Sequence, residues 1–559
     1  MIINNMGKLI QDKKCSKCGE IYIIHEEDIV FFDMINVPLP SFCPECRRQR
    51  RLSFRNERHL YKRTCDFSKK NIISNISPDK PYKVYESEIW HSDKWNPMEY
   101  GRNYDFSRSF FVQYFDLFKD VPQIALIVSN CENCNYTNYS WENNDCYLIF
   151  DAGRSEKSLY CQTLYSSSYV IDSSYIRNSV ELCADSINCS KCYNIKSCRQ
   201  CYNSTDLAFC YDLRSSRNCF LCSNLRNKDY CFMNNQLTKE EYEETMSKIN
   251  LGNRQIYDET KVKFENLIKQ SIHPESILIN SSDCTGNFIG NSKSCINSFN
   301  VESSEDCKYL YDSADPGNKN CYDDDRSGWG GEMCYETVGL PTPYNTHFSI
   351  SCGYPKNLDY CYFCNNCVDC FGCVSLKKKQ YCILNKQYTK DEYLKLRDMI
   401  IEAMKSYGEW GEFFPTQFSP FAYNETLAFD QFPLSKEEVV ASGYKWKEVD
   451  NRDYVNQTYD IPNDIANVKD DILHEILSCK LCKKNYRIVS QELKLLRDMN
   501  LPIPIWCPEC RNQERNSKMN PMKLFDRNCH NCNAKILTSY SPDRGERVYC
   551  NNCYIKEVY

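Results

Sequence analysis

The residues best placed to do chemistry in this chain are three sets of four cysteines. The first is Cys15, Cys18, Cys43 and Cys46, two Cys-x-x-Cys pairs with twenty-four residues between them, the second pair reading Cys-Pro-Glu-Cys. The set Cys479, Cys482, Cys507 and Cys510 repeats both the spacing and the Pro-Glu filling. The third set, Cys529, Cys532, Cys550 and Cys553, has seventeen residues between its pairs, as in a zinc ribbon. Zinc takes four ligands tetrahedrally, and each short turn presents two thiolates to one metal. Cys43 can cap a helix carrying Pro44 in its first turn, where the helix dipole favours the thiolate. Four thiolates could also hold iron, so spacing prefers zinc without excluding the alternative. Three zinc ions are expected.

A constant shift of 464 superposes the first two sets and also Asn36, Pro38 and Pro40 on Asn500, Pro502 and Pro504, Arg47 and Arg51 on Arg511 and Arg515, and Cys65 on Cys529. Such agreement marks an internal duplication of a treble-clef-like unit: knuckle, hairpin, helix. Carried further, the shift sets Cys65, Ser68, Glu86 and Ile89 against the third quartet. Three of four ligands are missing there, so the N-terminal copy is expected to hold one metal and the C-terminal copy two. Cys65 is then a buried small side chain.

Beside the first quartet runs RRQRRLSFRNERHLYKR. Between Arg47 and Lys70 ten Lys/Arg face only Glu57 and Asp66, whereas residues 511–534 hold five against Glu514 and Asp526. The fold therefore does not need the full charge, and the sequence predicts that Arg47, Arg48, Arg50, Arg51, Arg55, Arg58, Lys62 and Arg63 dock RNA or a ribonucleoprotein. The competing reading pairs these cations with carboxylates of the same protein.

The remaining twenty-five cysteines, apart from Cys65, lie between Cys131 and Cys382. Cys183, Cys192, Cys201, Cys210 and Cys219 recur every nine residues, and most other gaps are multiples of three. A shift of 151 lays residues 218–242 on 369–393, each copy ending in a capping box, Thr238-x-x-Glu241 and Thr389-x-x-Glu392. The short polar and aromatic triplets between cysteines suit strands and turns, which gives two β-solenoid segments, each closed by a helix over its open edge. The cysteines either stack inside as small side chains or bind clusters or act in redox. Against clusters, Leu213 and Ser216 stand where the other copy has Cys364 and Cys367. The run Asp323-Asp324-Asp325 is expected to be a solvated turn, or else a cation or phosphate loop, and the aromatic segment 408–434 an extended strap across another domain.

No HExxH, P-loop, GxSxG or dinucleotide fingerprint occurs, so no enzyme class is indicated. No stretch has the apolar length of a membrane span, and many cysteines without a leader suit a reducing, cytoplasmic setting. The combination of CPECRRQRR, RNERHLYKR, WHSDKWNPMEYG, the Cys-Tyr repeats, EFFPTQFSPFAYNET and the terminal quartets resembles a Cys-rich zinc-ribbon family abundant in small-genome bacteria of the candidate phyla radiation. The resemblance spans nearly the whole chain and implies a cytosolic bacterial setting, but no particular activity.

The architecture expected is mainly β with small α elements, with treble-clef and zinc-ribbon modules flanking a repetitive region. Its divisions fall at 1–125 for the first zinc module, 126–275 and 276–408 for the two repeat segments, 409–465 for strap and linker, and 466–559 for the double zinc module. The functional expectation is a zinc-stabilised, non-catalytic scaffold docking RNA through the basic helix, with the solenoid surface open to a protein partner. The alternatives are a thiol-redox or metal-handling protein and a structural assembly subunit.

Overall fold

The computed structural model describes residues 9–313, 315–448 and 454–559, a mostly β protein with small helices. Residues 1–8, read above as carrying no leader, and 449–453 of the expected linker lie outside the described residues.

The 464-residue duplication extends to the hairpins and helices around the quartets. Strands Leu9–Lys14 and Ile21–His25 form an antiparallel hairpin around the Cys15–Cys18 turn, and helices Glu26–Met34 and Pro44–Leu52 follow. In the other copy the corresponding hairpin is Leu477–Ser478 with Asn485–Tyr486, followed by helices Ser490–Asp498 and Pro508–Ser517. The shared asparagines have a local reason. Asn36 and Asn500 end the first helix of each copy with φ of 54° and 49°, a left-handed conformation that asparagine tolerates better than most residues. Cys43 and Cys507 are the N-caps of the second helices, each with proline at the first position as expected from their sequences.

Between the modules, short parallel strands pair in register mostly at twelve- or thirteen-residue intervals, with eleven at Leu278–Ile289 and fourteen at Lys308–Tyr322: Asn138 faces Phe150, Gln162 faces Ser174, Cys219 faces Cys231 and Cys370 faces Cys382. From Asn130 onward nearly every third residue has a left-handed φ, for example Asn133, Tyr136, Tyr139 and Glu142. The chain thus advances in triplets, four to a period, with Asn, Asp and Ser frequent at the left-handed position because their short polar side chains tolerate it. Cysteine follows that position and points inward. A nine-residue cysteine spacing inside a twelve-residue period is three triplets out of four, so successive cysteines step back by one triplet per period. Both predicted capping boxes form, with Thr238 and Thr389 accepting from the N–H of Glu241 and Glu392 at the starts of helices Lys239–Ser247 and Lys390–Ser406.

The modules dock crosswise. The Pro44–Leu52 helix of the first module lies on strands Tyr322–Asp325 and Glu332–Val338 of the second repetitive segment. The C-terminal module lies on the first segment, where Leu159, Ile171 and Ala184 share a core with Leu493, Leu496 and Ile503. Segment 408–434 is not extended throughout, turning through short helices Thr416–Phe418, Tyr423–Glu425 and Leu427–Gln431, while Phe413, Phe414 and Phe421 are buried against the first module and second segment, with Phe413 5.6 Å from Phe54 and Phe414 4.8 Å from Tyr114.

Candidate metal centres

In each quartet the four sulfurs lie within 4.8 Å of one another, and among the described residues these are the groups that could hold a metal ion. Across the two turns Cys18 and Cys43 stand 3.8 Å apart, Cys482 and Cys507 3.7 Å, and Cys532 and Cys550 3.7 Å. Sulfurs about 2.3 Å from a tetrahedral zinc stand about 3.8 Å apart, so the spacing fits. The turns also prepare the thiolates. The N–H of Cys507 points at Cys479 Sγ from 3.3 Å, and that of Cys550 at Cys529 Sγ from 3.2 Å. Burial alone would raise these thiols, but the surrounding backbone N–H groups outweigh it and bring both Cys479 and Cys529 down to about 6.

The counterpart of the third quartet keeps its backbone without its ligands. Hairpin Tyr61–Thr64 with Asn71–Ser74 matches hairpin Phe525–Asn528 with Lys535–Thr538 residue for residue. Cys65, fully buried as expected, accepts from the N–H groups of Ser68 and Glu86 at 3.4 Å each, and Glu86 occupies the place of Cys550. Where the metal would lie, apolar packing substitutes: Cys65, Ile76, Tyr85, Ile89 and Trp90 are buried in one cluster. This arrangement supports one metal in the first module and two in the last.

The basic helix requires a correction. Arg47, Arg48, Arg50 and Arg51 are buried, at 3, 4, 5 and 0% exposure, and each meets carboxylates of the same chain. Arg47 binds Asp323 at 2.7 Å, Arg48 binds Asp325 at 3.0 Å, Arg50 binds Glu336 at 2.8 Å and Glu412 at 2.9 Å, and Arg51 spans Asp323 at 3.2 Å and Asp325 at 2.9 Å. Arg55 is buried against Glu57 and Asp151, Arg58 reaches Glu509, and Arg63 binds Asp66 and two backbone carbonyls. Of the eight predicted RNA contacts only Lys62 is exposed. The arginines cannot meet a phosphate without leaving their partners. Burial lowers the basicity of Arg47, but Asp323, Tyr335 and Glu336 around it more than restore it, so the guanidinium stays charged in the interior.

The Asp323–Asp325 run is likewise not a solvated turn. It is a buried strand, and it is what the arginines face. Asp324, pointing the other way, is pushed up to about 7 by burial while it accepts from Asn318 and Thr337. The C-terminal copy repeats the contact with less charge: Arg511 binds Asp172 and Glu492, and Arg515 binds Asp172 at 3.2 Å and Ser174 at 3.4 Å. Asp172 and Ser174 are the 151-residue counterparts of Asp323 and Asp325. Fewer cations at one end therefore match fewer carboxylates on the segment that end docks against. A link between the two duplications was the signal available in the sequence and not used.

The central cysteines bond to the backbone. Cys161 Sγ donates to the carbonyl of Leu159 at 3.1 Å, Cys192 to Ser190 at 3.3 Å and Cys361 to Asp359 at 3.5 Å, always two residues back. Serine does the same at equivalent places. Ser216 donates to Arg214 at 3.1 Å, and its counterpart Cys367 donates to Asn365 at 3.5 Å. The position thus selects a small side chain with one donor, which explains why cysteine and serine interchange there. Burial holds the Cys161 and Cys183 thiols up at about 12, far from a reactive thiolate. At pH 8 a thiol reagent is expected to leave the buried central cysteines unmodified until denaturant is added, with half-buried Cys131, Cys134 and Cys284 the only central candidates for earlier labelling; rapid native labelling across the region would contradict the packing role.

No protein-family model matches the chain, and no curated protein matches it. Among the described residues no helix is long and apolar enough to cross a membrane.

Proposed function

We propose that the protein is a non-catalytic scaffold in which three zinc ions fix the end modules and the two repetitive segments form β-solenoids. The observation that carries this reading is the sulfur geometry: three four-cysteine quartets, each with its sulfurs within 4.8 Å and one cross-turn edge at 3.7 or 3.8 Å, the edge length of a ZnS4 tetrahedron. The in-register parallel pairing, mostly every twelve or thirteen residues, supports the solenoids. The backbone-bonded central thiols favour a structural over a redox role. An RNA-docking role for the basic helix is not carried forward, because its charges are already neutralised internally. Four cysteines around one tetrahedral position suit zinc, and metal analysis with a visible spectrum tests it: about three zinc per chain and no visible band are expected, whereas iron with a thiolate-to-iron absorption band would defeat the assignment.

A further inference from the structure

The two duplications build the same corner twice, and the chain fills only one of the two with its own cations. In the first segment Asn138 faces Phe150 and Phe150 faces Gln162, just as Asn287 faces Phe299 and Phe299 faces Tyr311 in the second. Tyr139, Phe150 and Asp151 therefore correspond to Phe288, Phe299 and Asn300. At the first corner the chain beyond helix Pro44–Leu52 brings Arg55 over the Tyr139 ring at 3.8 Å and Arg58 over the Phe150 ring at 4.8 Å. Glu57 and Asp151 neutralise Arg55. The 464-residue shift turns Arg55, Glu57 and Arg58 into Met519, Pro521 and Met522.

At the second corner the two planar cations are missing, and a cavity of about 240 Å³ remains, lined among others by Phe288, Phe299, Met519 and Met522. Losing Glu57 and Asp151 together with the arginines would by itself leave a neutral apolar contact, the kind of gap that methionine commonly fills. Here the gap stays open and its wall keeps a charge. Of the charged residues lining it, Arg48 is held by Asp325 at 3.0 Å, and Arg326 by Asp151 and by Asp312 at 3.4 Å. The one left over is Asp430 in the short helix Leu427–Gln431, whose carboxylate has no hydrogen bond or ion pair among the described residues. Burial pushes this carboxyl up to about 7, and the pull of Arg58 and Arg326 does not offset it.

We infer that this cavity binds a small molecule through a guanidinium or amidinium group, which stacks on Phe288 or Phe299 as Arg55 and Arg58 stack on their rings and pairs with the carboxylate of Asp430. An aromatic face attracts a planar cation, and a carboxylate accepts two parallel N–H groups from it. The wall is built from both repetitive segments, the Leu427–Gln431 helix and the stretch beyond helix Pro508–Ser517, a concave setting that suits a small molecule rather than a folded partner. This site goes beyond the scaffold reading and does not depend on the metal.

The test is isothermal titration calorimetry of the full-length protein with agmatine. Saturable binding is expected, and at least about tenfold weaker binding of putrescine, which keeps the carbon chain and the charge but lacks the planar group. Asp430→Asn is expected to weaken agmatine binding at least about tenfold, equivalent to about 1.4 kcal/mol. Met522→Arg restores the residue of the first module, fills the cavity with the chain's own guanidinium and is expected to abolish binding. An unchanged metal content shows that each variant is folded; if Met522→Arg loses metal, Asp430→Asn decides alone. Absence of saturation, equal affinity for putrescine, or undiminished affinity in the folded variants overturns the inference. So does saturation by an acetylated Gly-Arg-Gly amide without binding of agmatine, since the occupant would then be the arginine of another protein.

Discussion

Replacing Arg51 by alanine is expected to destabilise the protein by about 3–5 kcal/mol, the range for removing one partner of a buried ion pair. Arg51 is fully buried and reaches Asp323, Asp325 and the more distant Glu336 at 3.7 Å. Its loss leaves these carboxylates in the interior with Arg47, Arg48 and Arg50 as the remaining counter-charges, so the larger part of the effect is the desolvated negative charge left behind. Asp323→Ala should cost a similar amount for the mirrored reason, as it strands Arg47 and leaves Arg51 chiefly on Asp325. A double substitution, Arg51→Met with Asp323→Leu, removes both signs and is expected to recover a large part of the loss. Chemical denaturation of the four proteins checks this. Single substitutions each within about 1 kcal/mol of wild type would mean that the cluster is solvated and free to bind an external anion. Arg515→Ala should behave similarly at the other junction, but on a smaller network, because Ser174 replaces Asp325 there.

The three cysteine quartets that could hold a metal were legible from spacing alone because tetrahedral coordination is a local constraint: two turns and one distance between them define it. The capping boxes and the inward packing of most central cysteines were legible for the same reason. The destination of the arginines was not. Arg47 and Asp323 are 276 residues apart, and a charge run carries no mark of whether its partner is a phosphate or a carboxylate of its own chain. The excess charge does serve a purpose at the first module, but its partners are carboxylates inside the molecule. The run Asp323–Asp325 was the missing half, and it looked like a turn because three consecutive aspartates are rarely buried without cations to meet them. The nine-residue cysteine period likewise described the side chains correctly but not the twelve-residue ladder of the backbone, since identical triplets hide how many make one period.

Removal of metal is expected to separate the two halves of the duplication. With a strong chelator, hairpin Phe525–Asn528 with Lys535–Thr538 and helix Asn551–Val558 should lose their amide protection, because Cys529, Cys532, Cys550 and Cys553 surround only a small cluster of Ile536, Tyr540 and Val548. Structural zinc in modules of this size contributes about 10–16 kcal/mol of folding free energy, far more than three apolar side chains supply at about 1.5–3 kcal/mol each. The equivalent hairpin, Tyr61–Thr64 with Asn71–Ser74, should keep its protection under the same treatment. It holds the same turn through two N–H groups on Cys65, and its support comes from Ile89 and Trp90 within the large aromatic core. Cys553→Ser should lower the metal count by one and expose the C-terminal hairpin alone, whereas Cys65→Ser should leave the count unchanged. Hydrogen exchange with mass spectrometry reads both hairpins in one experiment. If they opened together on chelation, the apolar replacement at the first would not be self-sufficient; if neither opened, the third quartet would not be a structural metal site.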